Sequence, residues 1–441
     1  MRTYMTWQDE YNSKLVTAEA AVTRVRSGDV VGFALALGSP TAHLVDALLA
    51  RAGELRGVRI LDTVPVRMMK LFDADFMKSV KDSFTYSSVL FNPVNRALAR
   101  AGIVDYQTIQ SSDCGERFAR ICDVAMVCVS PPEAGMVNLG LTNFYSPEMI
   151  RGAKTVIAEV NDQMPVVYGD NWIPVAEFDY FVEYSSPIPE FKRKGEPSEV
   201  EFAIAQNVAS LIRDGDCIQM GVGTLPEAIV RLLRDKGKKD LGVHTEMFPM
   251  GLPDLVREGI VTNKLKRIHT GKTCASFCMG DHDMYEFVTR NPDCVFYPTS
   301  YVNAPYLLRE IDNLVAINMD LEVDLMGQLG AETIDFRLIG AVGGQLDFVI
   351  GAAWSKGGRA INVLPSTRTL RSGEVVSTVV PWLSPGAHVT VPHHFAQFVV
   401  TEYGIADLWL KSRRERAEAI IAIAHPDFRD ELKKEAKRLL Y

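Results

Sequence analysis

Ser27-Gly-Asp-Val-Val-Gly-Phe-Ala-Leu-Ala-Leu-Gly-Ser-Pro40 returns later in the chain, one residue shorter, as Asp214-Gly-Asp-Cys-Ile-Gln-Met-Gly-Val-Gly-Thr-Leu-Pro226. An amphipathic segment precedes each copy, Ala18 to Arg26 and Val200 to Arg213. Each copy then runs through a Gly-Asp turn, an apolar strand and a loop of small residues. Helical patterns follow the prolines, Thr41-Ala-His-Leu-Val-Asp-Ala-Leu-Leu49 and Glu227-Ala-Ile-Val-Arg-Leu-Leu233, with apolar residues three and four apart. The repeat predicts two related open α/β domains. Apolar runs such as Val124-Ala-Met-Val-Cys-Val129, Lys154-Thr-Val-Ile-Ala-Glu-Val160 and Asp347-Phe-Val-Ile350 read as strands between helices, hence largely parallel sheets. The boundary is expected in Tyr184-Ser-Ser-Pro-Ile-Pro-Glu-Phe-Lys-Arg-Lys-Gly-Glu-Pro197, rich in Pro, Ser and charge, giving domains over 1–188 and 189–441.

A chain of 441 residues accommodates two such domains, and 47% hydrophobic with 23% charged residues is ordinary for a globular protein. The net charge is −8, and basic runs such as Lys236-Gly-Lys-Lys239 and Arg413-Arg-Glu-Arg416 are short, which argues against a nucleic-acid partner. Seven cysteines, an odd number with no C-x-x-C pair, read as buried thiols in a reducing compartment, and no metal site is expected. No apolar stretch reaches the length of a signal peptide core at the N-terminus or of a membrane span elsewhere. The expected setting is cytoplasmic, with no membrane partner.

Four stretches carry possible chemistry. Leu241-Gly-Val-His-Thr-Glu-Met-Phe248 is a short apolar, strand-like run that presents one carboxylate, Glu246, either as a solvated strand-end group or as a covalent nucleophile. Gly221-Val-Gly-Thr-Leu-Pro226 follows a strand and precedes a helix, which suits an anion or carbonyl cradle or a plain turn. It is not a dinucleotide fingerprint, since Pro226 stands where the third glycine belongs. Gly340-Ala-Val-Gly-Gly-Gln-Leu-Asp-Phe348 leads to Ser355-Lys-Gly-Gly-Arg359, where Lys356 and Arg359 are either phosphate ligands or solvated cations. In Ser300-Tyr-Val-Asn-Ala-Pro305, Asn303 is either a turn residue or an oxyanion donor.

The order of these motifs, with Glu322-Val-Asp-Leu-Met-Gly-Gln328, Val400-Thr-Glu-Tyr-Gly-Ile-Ala-Asp-Leu408 and Ala424-His-Pro-Asp-Phe428, resembles the acetyl-CoA hydrolase/transferase family. That family includes 4-hydroxybutyrate, butyryl-CoA:acetate and succinyl-CoA:acetate CoA-transferases. The resemblance implies a CoA-transferase type of α/β fold, and Glu246 as the residue that becomes a glutamyl-CoA thioester. It further implies Asn303 and Gly344 as the groups polarising the reacting carbonyl. Gly221, Gly223, Thr224, Leu225, Pro226 and Glu227 are implied to hold CoA, together with Gly343, Gly344, Lys356 and Arg368. No permanently bound cofactor is expected; CoA or acyl-CoA and a short-chain carboxylic acid are the substrates, and the enzyme is expected to be a homo-oligomer, dimeric or higher.

Three departures bear on the acid. Asn303-Ala304-Pro305 stands where relatives often read Asn-Asp-Pro, Met250 where an Asp is frequent, and Trp409-Leu-Lys-Ser412 where Arg-Gly-Lys-Ser is usual. Transfer from acetyl-CoA or succinyl-CoA to 4-hydroxybutyrate, butyrate or itaconate is expected, with acyl-CoA hydrolysis or non-catalytic acyl-CoA binding as the alternatives. The loop Leu35 to Pro40 is expected to contribute acid-binding residues.

Overall fold

Each Gly-Asp turn of the repeat feeds a strand, Val30–Phe33 (β1) in the first copy and Cys217–Met220 in the second. Gly28 and Gly215 sit at φ of 85° and 80°, left-handed backbone that glycine adopts without the steric cost other residues meet there. The computed structural model describes residues 5–192, 195–221 and 223–440. Its contacts define two units: the chain to Phe191 with Ala275–Tyr301, and Lys192–Cys274 with the chain from Val302 onward.

The sheet of the first unit adds Val58–Asp62 (β2), Phe84–Ser88 (β3), Val104–Tyr106 (β4), Val124–Val129 (β5), Thr155–Val160 (β6) and Tyr180–Glu183 (β7) to β1. Its order is β7-β6-β5-β1-β2-β3-β4, and every neighbouring pair is parallel. All six residues of β5 are buried, as expected of a central parallel strand with apolar side chains on both faces. Val31, Phe33, Ile60, Phe84 and Met126 form one core cluster with Leu44, Val45 and Leu48 of the helix Ala42–Leu49 (α1), which Thr41 caps. The loop Leu35 to Pro40 leaves β1 at the point where strand order reverses. It contains a 3-10 turn at Ala36–Gly38 with Ala36 at φ 51°, and Nη1 of Arg67 donates to the Ser39 carbonyl at 3.2 Å.

The second unit opens with the helix Glu199–Leu211 (α2), where Ser198 and Glu201 form a capping box. Its main sheet comprises Cys217–Met220 (β8), Gly242–Val243 (β9), Leu314–Met319 (β10), Arg359–Val363 (β11), Phe398–Thr401 (β12) and Gly404–Asp407 (β13), in the order β9-β8-β10-β11-β12-β13. Neighbours are parallel except for the β12–β13 hairpin. Ligand sites in such sheets lie beyond the carboxyl ends of the strands. Gly221, Asp320 and Leu364 are the first residues there after β8, β10 and β11.

Two expected elements differ. The helix after the second small-residue loop starts at Thr224 rather than at Glu227, running Thr224–Asp235 (α3). Gly223 caps it at φ 130°, and Pro226 fits the first turn because no intrahelical N–H is needed there. Asp347-Phe-Val-Ile350 is not a strand: it lies inside the helix Gln345–Trp354 (α4). A four-residue apolar run has no period of its own, and Gly344 ahead of it supplies the cap. All seven cysteines are buried as thiols, and no described helix is long and apolar enough to cross a membrane.

Candidate active site

Glu246 is delivered by a strand that stops just short of it. β9 pairs with β8 through Cys217↔Gly242 and Ile218↔Val243, and the His244 N–H continues the ladder to the Ile218 carbonyl at 3.2 Å. Oγ1 of Thr245, fully buried, lies 3.2 Å from the Met220 carbonyl and 3.0 Å from that of Met247. The expected continuous strand is therefore broken: Gly242–Val243 and Met247–Phe248 are strands, with Glu246 in the bend between them. Side chains alternate along a strand, so this break frees the Glu246 carboxylate from the sheet's inward/outward pattern. It is half-buried.

Asn303 and Gly344 meet it there. Nδ2 of Asn303, a fully buried residue in the turn before the helix Pro305–Leu308, donates a short hydrogen bond to Oε2 of Glu246. Gly344 is the N-cap of α4, and a Cβ built on it would overlap both Oε2 of Glu246 and Nδ2 of Asn303. Only glycine lets the backbone approach that closely. The first turn of a helix carries N–H groups without intrahelical partners and the positive end of the dipole, so α4 begins where negative charge sits. A carboxylate, an amide donor and a helix start together form a centre that can stabilise a tetrahedral oxyanion.

The glycine loop lies beyond β8. Gly221, Leu225, Pro226 and Ile229 line a cavity of about 130 Å³ with Asn318, Met319 and Val363 from the ends of β10 and β11. Thr224 is turned away from it, its Oγ1 hydrogen-bonding to Glu201 of α2. Glu227 lines a separate cavity of about 300 Å³ with Met250, Gly251, Arg231 and Arg234, so the Met250 departure falls in that cavity. Val222 lies outside the described residues. Gly343, at φ 56°, has open space around its Cβ position.

Of the cations read as possible phosphate ligands, Lys356 and Arg359 are placed elsewhere. Lys356 is exposed in the turn after α4, a helix of 10 residues and about 15 Å, hence at the opposite end from Gly344. Arg359 is buried at the start of β11 and paired with buried Asp216. Arg368, on the hairpin strand Thr367–Thr369, contacts Oε1 of buried Glu322 through Nη2 at 3.1 Å, while its Nε and Nη1 are buried with no hydrogen-bond partner among the described residues.

Sequence reasoning gave no role to His244, Asp320, Gln345 or Asn362, all of which touch the framework of this centre. Nε2 of His244 reaches the Val302 carbonyl, and Nε2 of Gln345 donates to Oδ1 of Asp320 at 2.7 Å and lies 3.3 Å from Oδ1 of Asn362. The available signal was polar residues at the ends of otherwise apolar strands, Asn318 and Asp320 after Leu314-Val-Ala-Ile317 and Asn362 within Ala360-Ile-Asn-Val363.

Comparison with known proteins shows the family. The family models for the acetyl-CoA hydrolase/transferase N-terminal and C-terminal domains match residues 1–192 and 280–436. The 4-hydroxybutyrate coenzyme A transferase of Clostridium kluyveri is 40% identical over 439 residues, covering 98% of this chain and 100% of that protein. The butyryl-CoA:acetate CoA-transferase of Anaerostipes caccae is 35% identical, covering 98% of each chain. Among solved structures, RipA from Yersinia pestis superposes with a TM-score of 0.88 at 35% identity, over 99% of this chain and 100% of that one. The 4-hydroxybutyrate CoA-transferase of Porphyromonas gingivalis does so with 0.79 at 34%, over 98% and 100%. The chain belongs to the acetyl-CoA hydrolase/transferase family and is an acyl-CoA:carboxylate CoA-transferase.

Proposed function

We propose that the enzyme moves CoA from acetyl-CoA or succinyl-CoA to a C4 to C5 acid by a ping-pong route through a glutamyl-CoA thioester on Glu246. The observation that carries this reading is the Asn303 amide donating to the Glu246 carboxylate against the backbone of Gly344. The carboxylate attacks the donor thioester carbonyl, giving a mixed anhydride and CoA thiolate. The thiolate then attacks the glutamyl carbonyl, forming the enzyme thioester and releasing the donor acid. The acceptor carboxylate attacks that thioester, and the thiolate it expels takes the acceptor acyl group, restoring Glu246. Each step passes through a tetrahedral oxyanion. One well-placed donor to such a centre is worth roughly 3 kcal/mol, the part assigned to Asn303 and to the N–H groups at the start of α4.

The relatives named for 4-hydroxybutyrate and butyrate favour a C4 monocarboxylate as acceptor, with itaconate the competitor because Met250, Ala304 and Trp409 depart from the usual residues. Gly221, Leu225 and Pro226 and the cavity they line are the proposed approach for CoA, and Arg368 its remaining cationic contact. The seven buried thiols suit a reducing cytoplasm, and the proposed homo-oligomeric state rests on the family resemblance alone. Acids are to be screened against acetyl-CoA and succinyl-CoA, with mass spectrometry of the peptide bearing Glu246. Parallel double-reciprocal lines and a CoA adduct on that peptide are expected; turnover of acyl-CoA with no acceptor acid contradicts the reading.

A further inference from the structure

Gly344 is fixed by its neighbour. Gln345 is the first residue of α4, and its side-chain amide is held from the far side by two residues of the central sheet: Oδ1 of Asp320, just past β10, accepts from Nε2 at 2.7 Å, and Oδ1 of Asn362, in β11, lies 3.3 Å away. The anchor is itself rigid. Asp320 is 4% exposed, its N–H donates to the Val363 carbonyl at 2.9 Å, and Asn362 is fully buried. Asn318 and Asn362 are register partners across β10 and β11, and Asn318 exchanges amide contacts of 3.3 Å with Gln219 of β8. A polar row thus crosses three parallel strands at their carboxyl ends and finishes on the residue beside Gly344.

We propose that Asp320 is a positioning residue for transfer: through Gln345 it sets where the first N–H groups of α4 point, and so how they meet charge developing on the Glu246 carboxyl. The inference rests on the reading of Glu246 and Gly344 given above. Its chemistry separates it from a stability role. Oδ2 of Asp320 is buried and has no hydrogen-bond partner among the described residues, an arrangement that costs stability and that replacement by an apolar group commonly relieves. Burial pushes this carboxyl well above the usual carboxylate range, and Oδ1 is the oxygen that accepts from Gln345. The neutral amide of Asn reproduces that acceptor; Ala removes it.

The test uses the full-length enzyme, with D320A, D320N, Q345A and the double variant D320A/Q345A. Displacing a catalytic group by about 1 Å costs on the order of 100-fold, so kcat for D320A should fall by about that factor with the KM for acetyl-CoA unchanged and the melting temperature unchanged or raised. D320N should retain most of the wild-type kcat. Adding Q345A to D320A should cost little more, because both act through one contact. Wild-type kcat in D320A, an equal loss in D320N, or additive losses in the double variant each overturn the proposal. E246A is run alongside: if it still transfers CoA, the nucleophile reading fails whatever Asp320 does.

Discussion

Nε2 of His244 lies 2.9 Å from the carbonyl oxygen of Val302, the residue before Asn303. That contact ties the strand leading to Glu246 to the turn that carries its amide donor. Burial lowers the His244 pKa to about 3, with the nearby Lys266 cation pushing the same way, so at neutral pH the ring is uncharged and donates through Nε2–H.

An acid-stability measurement checks this. The folded pKa of about 3 lies below the ordinary 6.5, so the unfolded chain binds more protons between those values. His244 therefore contributes stability that is fully present above pH 6.5 and is lost as pH falls toward 3. Its largest contribution is about 1.4 kcal/mol per pH unit, one proton. Chemical denaturation from pH 7 to pH 4 should show a shallower decline for His244→Gln than for wild type. Identical slopes would show that the ring is not held neutral.

Replacing Glu246 by Gln or Ala removes the nucleophile while leaving the proposed CoA approach intact. Transfer should drop at least about 10⁴-fold, the scale seen when a covalent nucleophile is deleted. CoA binding by calorimetry should persist, and the CoA adduct should vanish from the peptide's mass spectrum.

Asn303→Ala should lower kcat by roughly 10²- to 10³-fold, the cost of one oxyanion donor, with a smaller change in KM. An effect confined to KM would instead assign Asn303 to ground-state binding.

Gly344→Ala should fold and yet lose most activity, because its methyl group occupies the space of Oε2 of Glu246 and Nδ2 of Asn303. Its φ of −100° is open to any residue, so steric overlap alone is at work. Wild-type activity in this variant would mean that α4 can retreat without consequence.

Arg359→Met should destabilise the protein by about 3–5 kcal/mol, the usual cost of breaking a buried ion pair, since it strands Asp216. The KM for acyl-CoA should not move. A raised KM at unchanged stability would restore Arg359 as a phosphate ligand.

Strands β1, β5, β6 and β8 were legible because parallel strands buried on both faces read as continuous apolar runs, and because the Gly-Asp turn marks where each copy of the repeat begins. Glu246, Asn303 and Gly344 were legible only as a set in order; singly, each has an ordinary alternative. Asp347-Phe-Val-Ile350 misleads because its helix is covered by the sheet and shows no polar face over so short a window. Lys356 and Arg359 mislead for a different reason. Positive charge near glycines suggests phosphate, but only the direction of α4 and the partner Asp216 decide where those charges go. The bracing by His244 and Asp320 was invisible because it joins residues 58 and 25 positions apart.

The first unit also draws on a segment, Ala275–Tyr301, that arrives long after Phe191. On a ribosome adding roughly 5–20 residues per second, this last piece of the unit emerges seconds after the final strand of the seven-stranded sheet, Tyr180–Glu183. A chain cut near residue 192 is thus not an independent module, and a nascent chain stalled there would present an unfinished surface to chaperones.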